Sequence, residues 1–270
     1  ITLQMTYELN ENLTVKYIGG YRDVSEDRIY DFDGSAAPFI TIERWNVYDQ
    51  TSHELQLNGS YNNVEFTAGL YMFEKEHTQD WATGGDFWGF LYGGLLTGPG
   101  MWEICQDFFD PTLAIACDAT EPAYPTGTLY QILYSTQKTE SIAAYAQADW
   151  SVTDRITLTT GVRWTEEEKD FYAGQAYLAG HNIGEGRNFP DYADLQKKWD
   201  DTSIKLGLSY QINEDSLAYL TYTEGFHSGG FYAVVQQTKH MRRNQYDPEF
   251  SESTELGYKA FLFDRRVQLN

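Results

Sequence analysis

The two cysteines of this 270-residue sequence are its first candidates for chemistry. Cys105 and Cys117 lie twelve positions apart with no histidine between them, which is not the spacing of a metal site. In an oxidising compartment they would form a disulfide, which stabilises a protein by about 3 kcal/mol for a loop near this size. Two unpaired thiols are the alternative.

A lone histidine, His227, lies in the segment EGFHSGGF and follows Phe226. Without a second ligand beside it, His227 is expected to form a hydrogen bond rather than bind a metal. Gly225, Gly229 and Gly230 permit unusual backbone angles, so the segment is predicted to be a hinge at the rim of the fold. Phe226 and His227 are also candidate ligand contacts, because a strand leaves for a loop here.

Charged clusters offer no catalytic site. The basic run KHMRR, Lys239–Arg243, could attract an anionic ligand or the phosphates of lipopolysaccharide, and a solvated charge run is the alternative. Glu166, Glu167 and Glu168 end a strand and are expected to be solvated. The sequence has no phosphate loop, nucleophile elbow or metal-spaced cluster, so we predict neither an enzyme nor a cofactor.

Aromatic residues crowd one long, glycine-rich stretch. They are Trp81, Phe87, Trp88, Phe90, Tyr92 and Trp102. Loops longer than about 15 residues without structure of their own are usually functional or disordered, so we expect Trp81, Trp88 and Trp102 to contact a ligand. A loop that packs on itself around the cysteine pair is the alternative.

Composition narrows the class of protein. The 21 Tyr, 15 Phe and 7 Trp suit extended structure, and the net charge of −21 argues against a nucleic-acid partner. No apolar run is long enough for a membrane helix. The first residues lack the pattern of a signal peptide, and both ends have the pattern of strands, so the sequence is expected to be a fragment.

Period-2 alternation predicts ten strands, most of them nine residues or longer. They lie at about 1–9, 13–22, 53–61, 64–76, 139–150, 156–168, 202–212, 217–227, 253–263 and 266–270. Soluble strands average about five or six residues, whereas a tilted strand needs roughly nine to eleven to cross a bilayer. The predicted lengths therefore indicate a membrane barrel.

Very short and very long connections alternate between these strands. Tight turns such as Asn62-Asn63, Thr153-Asp154 and Asp264-Arg265 are separated by four predicted loops, at 23–52, 77–138, 169–201 and 228–252. Outer-membrane barrels have short periplasmic turns and longer extracellular loops. We therefore expect these four loops to be extracellular.

The two faces of each strand also differ. In ITLTTGVRW, the residues Ile156, Leu158, Val162 and Trp164 oppose a polar register that contains Arg163. Lys16, Lys205 and Lys259 fall on polar registers in the same way. A basic residue that faced lipid at the midplane would cost roughly 2–4 kcal/mol, so these side chains are expected to face a wet lumen. Arg163 is therefore a further candidate ligand contact. The facing of strand 217–227 is left open.

Three segments carry a resemblance to a known family. They are SIAAYAQADWSVTDRITLTTGVRWTEEEK, LAYLTYTEGFHSGGF and YDPEFSESTELGYKAFLFDRRVQL. In order and spacing they resemble consecutive hairpins of the TonB-dependent receptors, and the resemblance covers essentially the whole chain. It implies an all-β, antiparallel, 22-stranded transmembrane barrel around a plug, of which about ten strands are present and the plug and TonB box are absent.

The resemblance also implies a function. Such receptors lie in the outer membrane among lipid and lipopolysaccharide and take up a scarce ligand, most often a ferric siderophore, with energy from the TonB complex reached through the plug. A passive porin or surface adhesin on the same kind of barrel is one alternative. A soluble all-β carbohydrate-binding or hydrolytic domain, which aromatic loops would also suit, is another.

Overall fold

The computed structural model describes residues 1–32, 34, 41–84, 129–179, 191–232 and 245–270 of the chain. All regular structure in these ranges is β-strand. The strands are β1 (Thr2–Asn10), β2 (Leu13–Asp31), β3 (Thr41–Tyr61), β4 (Val64–Gly84), β5 (Leu129–Thr153), β6 (Ile156–Ala179), β7 (Asp191–Asn213), β8 (Ser216–His227), β9 (Gly230–Phe231), β10 (Gln245–Tyr246), β11 (Glu249–Leu262) and β12 (Val267–Leu269). Within these ranges no helix is long and apolar enough to cross a membrane.

Ten of the strands form one antiparallel sheet, in the order β1-β2-β3-β4-β5-β6-β7-β8-β11-β12. Each strand pairs with the next along the chain, except that β9 and β10 form a separate two-stranded sheet between β8 and β11. The prediction of an all-β, antiparallel fold with about ten strands is confirmed. β1 and β12 are the two edges of this sheet.

Side chains and left-handed residues shape the short turns as predicted. The Asn10 carboxamide accepts a hydrogen bond of 2.9 Å from the N–H of Asn12, and Asn213 does the same for Asp215. Asn62 adopts a φ of 50°, in the left-handed region that Asn tolerates. The turn predicted at Asp264-Arg265 is longer than expected and occupies 263–266.

The predicted loops 23–52, 77–138, 169–201 and 228–252 are wrong in extent, because strands run far into each of them. β2 to β7 are 19 to 25 residues long and occupy 23–31, 41–52, 77–84, 129–138, 169–179 and 191–201 of the segments predicted as loops. β9 and β10 lie inside the fourth predicted loop. Beyond a membrane both faces of a strand are wet, so the apolar alternation stops while the hydrogen-bonded ladder continues.

The two faces of the sheet differ in chemistry. We call the face on which β9 packs the inner face, and the opposite one the outer face. The outer face carries a band of exposed apolar side chains, here named the outer band. It includes Leu55, Leu70, Met72, Ile142, Trp150, Leu158, Val162, Trp164, Ile204, Leu206, Leu208, Tyr210, Leu220 and Leu256.

Charged residues replace the outer band farther from the short turns. On the outer face of β4 and β5, Lys138 pairs with Glu74 at 3.5 Å and with Glu140 at 2.9 Å. Lys198 pairs with Glu166 at 2.5 Å on the neighbouring strands. The outer face therefore changes from apolar to ionic along each strand, as expected where a barrel wall leaves a membrane.

Candidate functional site

Cationic side chains line the inner face in one cross-strand row. The pairing runs Arg22–Gln50–Lys75–Thr139–Lys169–Lys197 over β2 to β7. Like charges placed opposite each other in a sheet repel, so a row with four cations needs compensating contacts. Its two ends obtain them in different ways.

At the β2–β4 end, aromatic rings take the place of carboxylates. The Arg22 guanidinium lies 5.3 Å and the Lys75 ammonium 4.7 Å from the centre of the Tyr48 ring. His77 meets the same ring edge-on, with the ring centres 6.1 Å apart. Within the described ranges neither Arg22 nor Lys75 forms an ion pair. We call Arg22, Tyr48, Lys75 and His77 the upper cluster.

Burial and neighbouring cations set the charge of the upper cluster. Desolvation lowers the pKa of His77, and the nearby charges of Lys75 and Arg44 lower it further. His77 is therefore favoured in its neutral form, and Arg22 and Lys75 carry the positive charge. Residues adjacent to these two, such as Asp23 and Glu74, lie on the ionic part of the outer face, so the upper cluster lies beyond the height of the outer band.

At the β6–β7 end, the row is covered by the segment Ser228–Phe231, which we call the strap. The Lys169 ammonium, whose side chain is 8% exposed, donates to the Ser228 hydroxyl at 2.9 Å and to the Gly229 carbonyl at 2.7 Å. It also pairs with Glu167 at 3.0 Å, and the Ser228 hydroxyl donates to that carboxylate. The buried ammonium therefore has three polar partners.

Apolar contacts complete the attachment of the strap. Phe231 stacks on Phe171 with ring centres 5.3 Å apart and lies 5.9 Å from Trp199. Together with Ala173 and Ala193 these rings form the buried cluster of the inner face. The strap is thus packed against the wall.

The glycines in and before the strap allow the backbone to pack closely on neighbouring residues. The prediction that they form a hinge is corrected. None of Gly225, Gly229 and Gly230 has a positive φ; among the described glycines only Gly34 does. A Cβ on Gly229 would lie 2.5 Å from the Tyr246 carbonyl oxygen and 2.8 Å from the Trp199 ring. Glycine is required because the backbone packs directly on its neighbours.

A second group of cations lies nearer to the short turns, on strands β5 to β7. The Arg163 guanidinium lies 5.7 Å from the Tyr145 ring and 5.8 Å from the Tyr71 ring. The Lys205 ammonium donates to the Gln147 carboxamide oxygen at 3.1 Å. We call Tyr145, Gln147, Arg163 and Lys205 the lower cluster. It lies at the height of the outer band, because the neighbours of Arg163 and Lys205 along their strands point into that band.

The predicted inner-face residues occupy the expected register. Lys16, Arg163, Lys205 and Lys259 all lie on the inner face, and Lys259 approaches the Tyr219 ring at 5.4 Å. The facing of β8 is now defined: Leu220 pairs with Leu208 in the outer band, whereas Tyr219 and Thr221 face inward.

The predicted ligand contacts are only partly brought together. Trp81 lies in β4 opposite Arg44, and its buried indole N–H has no partner among the described residues. Phe226 packs beside the buried cluster, with its ring 5.6 Å from that of Phe250. His227 is exposed, and its Nδ1 lies 3.0 Å from the Ser228 carbonyl oxygen, a hydrogen bond in which the ring donates.

Several predictions lie outside the described residues. They concern Trp88, Trp102, Cys105, Cys117 and Lys239–Arg243. In the ranges that the structure covers, no group of three His, Cys, Asp or Glu side chains could hold a metal ion. The sequence does not predict the upper cluster, because Arg22 lies at the edge of a predicted loop and Tyr48 and His77 lie inside predicted loops.

Comparisons with known proteins agree with this architecture. A family model described as "TonB dependent receptor-like, beta-barrel" matches residues 1–270. The ferric yersiniabactin uptake receptor FyuA from Yersinia pestis has a similar structure, with a TM-score of 0.65 and 17% sequence identity over 96% of this chain and 32% of that chain. The siderophore receptor PiuA from Acinetobacter baumannii gives a TM-score of 0.58 and 13% identity over 99% of this chain and 38% of that chain.

A third solved structure, BauA, the ferric preacinetobactin receptor from Acinetobacter baumannii, has a TM-score of 0.52 and 14% identity over 97% of this chain and 34% of that chain. The comparison with curated proteins finds no match. At these identities the solved structures support the fold alone, and the chain spans about a third of their length. The family is one of outer-membrane transport proteins, not of enzymes. The match over its full length shows that this chain belongs to the TonB-dependent receptor family and forms part of its β-barrel.

Proposed function

We propose that the receptor to which this barrel belongs takes up an anionic ferric siderophore across the outer membrane, with energy from TonB. The observation that carries this proposal is the cationic row on the inner face. A chain with a net charge of −21 has four cations in one row there, and Arg22 and Lys75 have no carboxylate partner within the described ranges. Arg22 and Lys75 therefore attract negative charge from outside.

Aromatic surface beside the cations narrows the ligand class. Tyr48 offers a ring between Arg22 and Lys75, and Trp81 lies farther along the same strand as Lys75. Small-molecule sites generally combine apolar and aromatic surface with a few placed charges. An iron complex with negatively charged aromatic ligands fits this chemistry. The solved relatives named above are receptors for ferric siderophores, which supports the same class.

The same proposal gives the barrel a direction. The long connections would face the medium and the short turns the periplasm, so the upper cluster would meet an incoming ligand first. The TonB complex and the ligand are the expected partners. Because the chain belongs to an outer-membrane family, the alternative of a soluble carbohydrate-binding domain is excluded. A passive porin on the same kind of barrel is not excluded, so the experiment must distinguish it from active uptake.

Uptake of radiolabelled iron by cells tests the proposal. A strain without the gene would receive the full-length wild type, an Arg22→Gln/Lys75→Gln variant, or a Lys259→Gln control that removes an inner-face cation elsewhere. Each strain is offered a trianionic ferric tris-catecholate and a neutral ferric trihydroxamate. Wild type and control should import the anionic complex, and the double variant should do so about tenfold more slowly below saturation, because two charged contacts are lost.

Two results would contradict the proposal. Import that persists in cells without TonB would indicate a passive porin. Equal import of the anionic and neutral complexes by all variants would show that the cationic row does not select the ligand.

A further inference from the structure

Two places on the inner face hold an aromatic ring between two cations of the same cross-strand row. In the upper cluster the ring is that of Tyr48. On β6 and β7 it is that of Trp199, whose centre lies 5.6 Å from the Lys169 ammonium and 5.3 Å from the Lys197 ammonium. We call Lys169, Trp199 and Lys197 the covered site, because the strap packs on Lys169 and Trp199. The arrangement is therefore present twice, and the strap lies over the second copy.

The covered site lies above the outer band. Lys169 and Lys197 are paired directly in the sheet. The residues next to Lys169 along β6, Glu168 and Asp170, point to the ionic part of the outer face, because successive side chains of a strand alternate between its faces. The covered site is therefore at the height of the upper cluster, where both faces of the wall are wet.

The balance of charge in the covered site is positive. Among the described residues, Glu167 is the one carboxylate within ion-pair distance of either ammonium, and it pairs with Lys169 at 3.0 Å. Lys197 forms no ion pair in the same ranges and donates to the Gln245 carboxamide oxygen at 3.3 Å. Like charges placed opposite each other in a sheet repel, so the pairing of Lys169 with Lys197 favours an added anion.

The strap fills the covered site with groups that resemble those of a ligand. The Ser228 hydroxyl and the Gly229 carbonyl accept hydrogen bonds from the Lys169 ammonium. The Phe231 ring lies 5.9 Å from the Trp199 ring. Both oxygens are neutral acceptors, and hydrogen bonds between two ionised groups are stronger than those with a neutral partner. A carboxylate is therefore a stronger partner for Lys169 than either oxygen of the strap.

One polar atom beneath the strap lacks a partner. Trp199 is 6% exposed, and its buried indole N–H has no hydrogen-bond acceptor among the described residues. Gly229 lies directly against this nitrogen, since a Cβ on Gly229 would be 2.8 Å from it. A buried donor without an acceptor is destabilising. An acceptor in the place of Gly229 would receive both this N–H and the Lys169 ammonium.

We propose that the strap occupies a ligand site, and that an aromatic carboxylate displaces it from the covered site. The carboxylate accepts hydrogen bonds from Lys169 and from the Trp199 N–H, and the aromatic ring takes the place of Phe231 against Trp199 and Phe171. Binding frees residues 228–231 from the wall. This inference rests on the proposed uptake function for its class of ligand, and it adds a second site and a moving segment.

The test uses the purified full-length receptor with 2-naphthoate and 2-naphthamide, which have nearly the same shape, although only naphthoate is charged. Ligand-observed NMR gives the affinity, and amide hydrogen exchange at residues 228–231 reports release of the strap. Ser228→Ala weakens the strap, Lys169→Gln removes a cation of the covered site, and Ser209→Ala is a control that removes an inner-face hydroxyl elsewhere. Heat-modifiable mobility on a gel checks folding, and Lys197→Gln replaces Lys169→Gln if that variant does not fold.

Wild type should bind naphthoate with faster exchange of the strap, and naphthamide at least about tenfold more weakly. Ser228→Ala should bind naphthoate about threefold to tenfold more tightly, because the competing segment is held less firmly. Lys169→Gln should bind it at least about tenfold more weakly, and Ser209→Ala should match wild type. A strap with a purely structural role predicts no gain in affinity from Ser228→Ala.

Naphthoate binding that leaves exchange at residues 228–231 unchanged or slower would overturn the proposal. So would a Ser228→Ala variant that binds no more tightly than the control, equal binding of naphthamide, or no binding of naphthoate by wild type. If iron uptake depends on Arg22 and Lys75 in any of these cases, the covered site fails and the uptake function stands.

Discussion

The Lys169 ammonium donates a hydrogen bond of 2.9 Å to the hydroxyl of Ser228, a residue 59 positions later in the chain. This contact joins the wall of the sheet to the strap in a nearly water-free position. A buried charge is costly unless it is paired and hydrogen-bonded, and here Glu167 and the strap provide both. Lys169 therefore provides the polar part of the attachment of the strap to the wall.

Replacing Lys169 by Met should release the strap. The change leaves Glu167 without its ion-pair partner and removes the donor to Ser228 and Gly229, a loss of about 3 kcal/mol for a pair broken on one side. Amide hydrogen exchange at residues 228–231 of the full-length protein should become faster. Lys197→Met is the control, because Lys197 is only half-buried and its described partners are Gln245 and the Trp199 ring. Unchanged exchange in Lys169→Met would show that the aromatic contacts suffice.

Gly229→Ala should destabilise the protein by about 1–3 kcal/mol through overpacking. Its new Cβ would approach the Tyr246 carbonyl oxygen to 2.5 Å, and backbone atoms cannot easily move aside. Gly225→Ala is a matched control, because the nearest atom there is the Ser251 hydroxyl, which can rotate away. Unfolding of both variants in denaturant gives the comparison. Equal stability of the two would contradict the close packing.

Acidification should destabilise the upper part of β3 and β4 through His77. Because burial lowers its pKa in the folded state, the unfolded chain binds the proton more readily, and stability is lost as the pH falls below about 6.5. His77→Gln should reduce the stability lost between about pH 7.5 and about pH 5.5. Lys75→Gln should reduce it less, because burial is the larger cause. The measurement is unfolding at both pH values, and identical losses in all three proteins would refute this role.

Leu206→Arg should destabilise the folded barrel by roughly 2–4 kcal/mol if the outer band faces lipid at mid-membrane depth. Leu206 lies in the middle of that band and is 49% exposed on the bare sheet. Ser209→Arg is the control, because the same charge is placed on the inner face. Reversible unfolding of the full-length protein in lipid measures both. A larger loss for Ser209→Arg would reverse the assignment of the two faces.

The membrane part of the fold could be predicted well from the sequence, because there one face of each strand contacts lipid and the other contacts water. Polar and apolar residues alternate clearly at Val162, Arg163 and Trp164, and all four basic residues predicted on the inner register lie on the inner face. Farther along the strands both faces are wet, so a segment such as VYDQTSHE has no apolar period to detect even though it continues β3. Tyr48 was missed for this reason.

The candidate site was harder to predict than the strands. The cationic row depends on the register between six strands, which single-strand patterns do not contain. The strap contacts join Glu167 and Lys169 to residues about sixty positions away, and no local pattern indicates them. The residue type of Trp81 is enough to predict it, and Trp81 lies on the wall near the upper cluster, whereas the importance of Lys75 and Lys169 follows only from their neighbours.

Two inner-face glycines lie beneath aromatic rings. A Cβ on Gly69 would lie 2.5 Å from the end of the Tyr145 ring, and one on Gly257 would lie 2.1 Å from that of Tyr219. Each ring therefore rests against the backbone of the neighbouring strand instead of projecting inward. At these two places the aromatic side chains lie along the wall, so the inner surface there is smoother than its residue types alone would suggest.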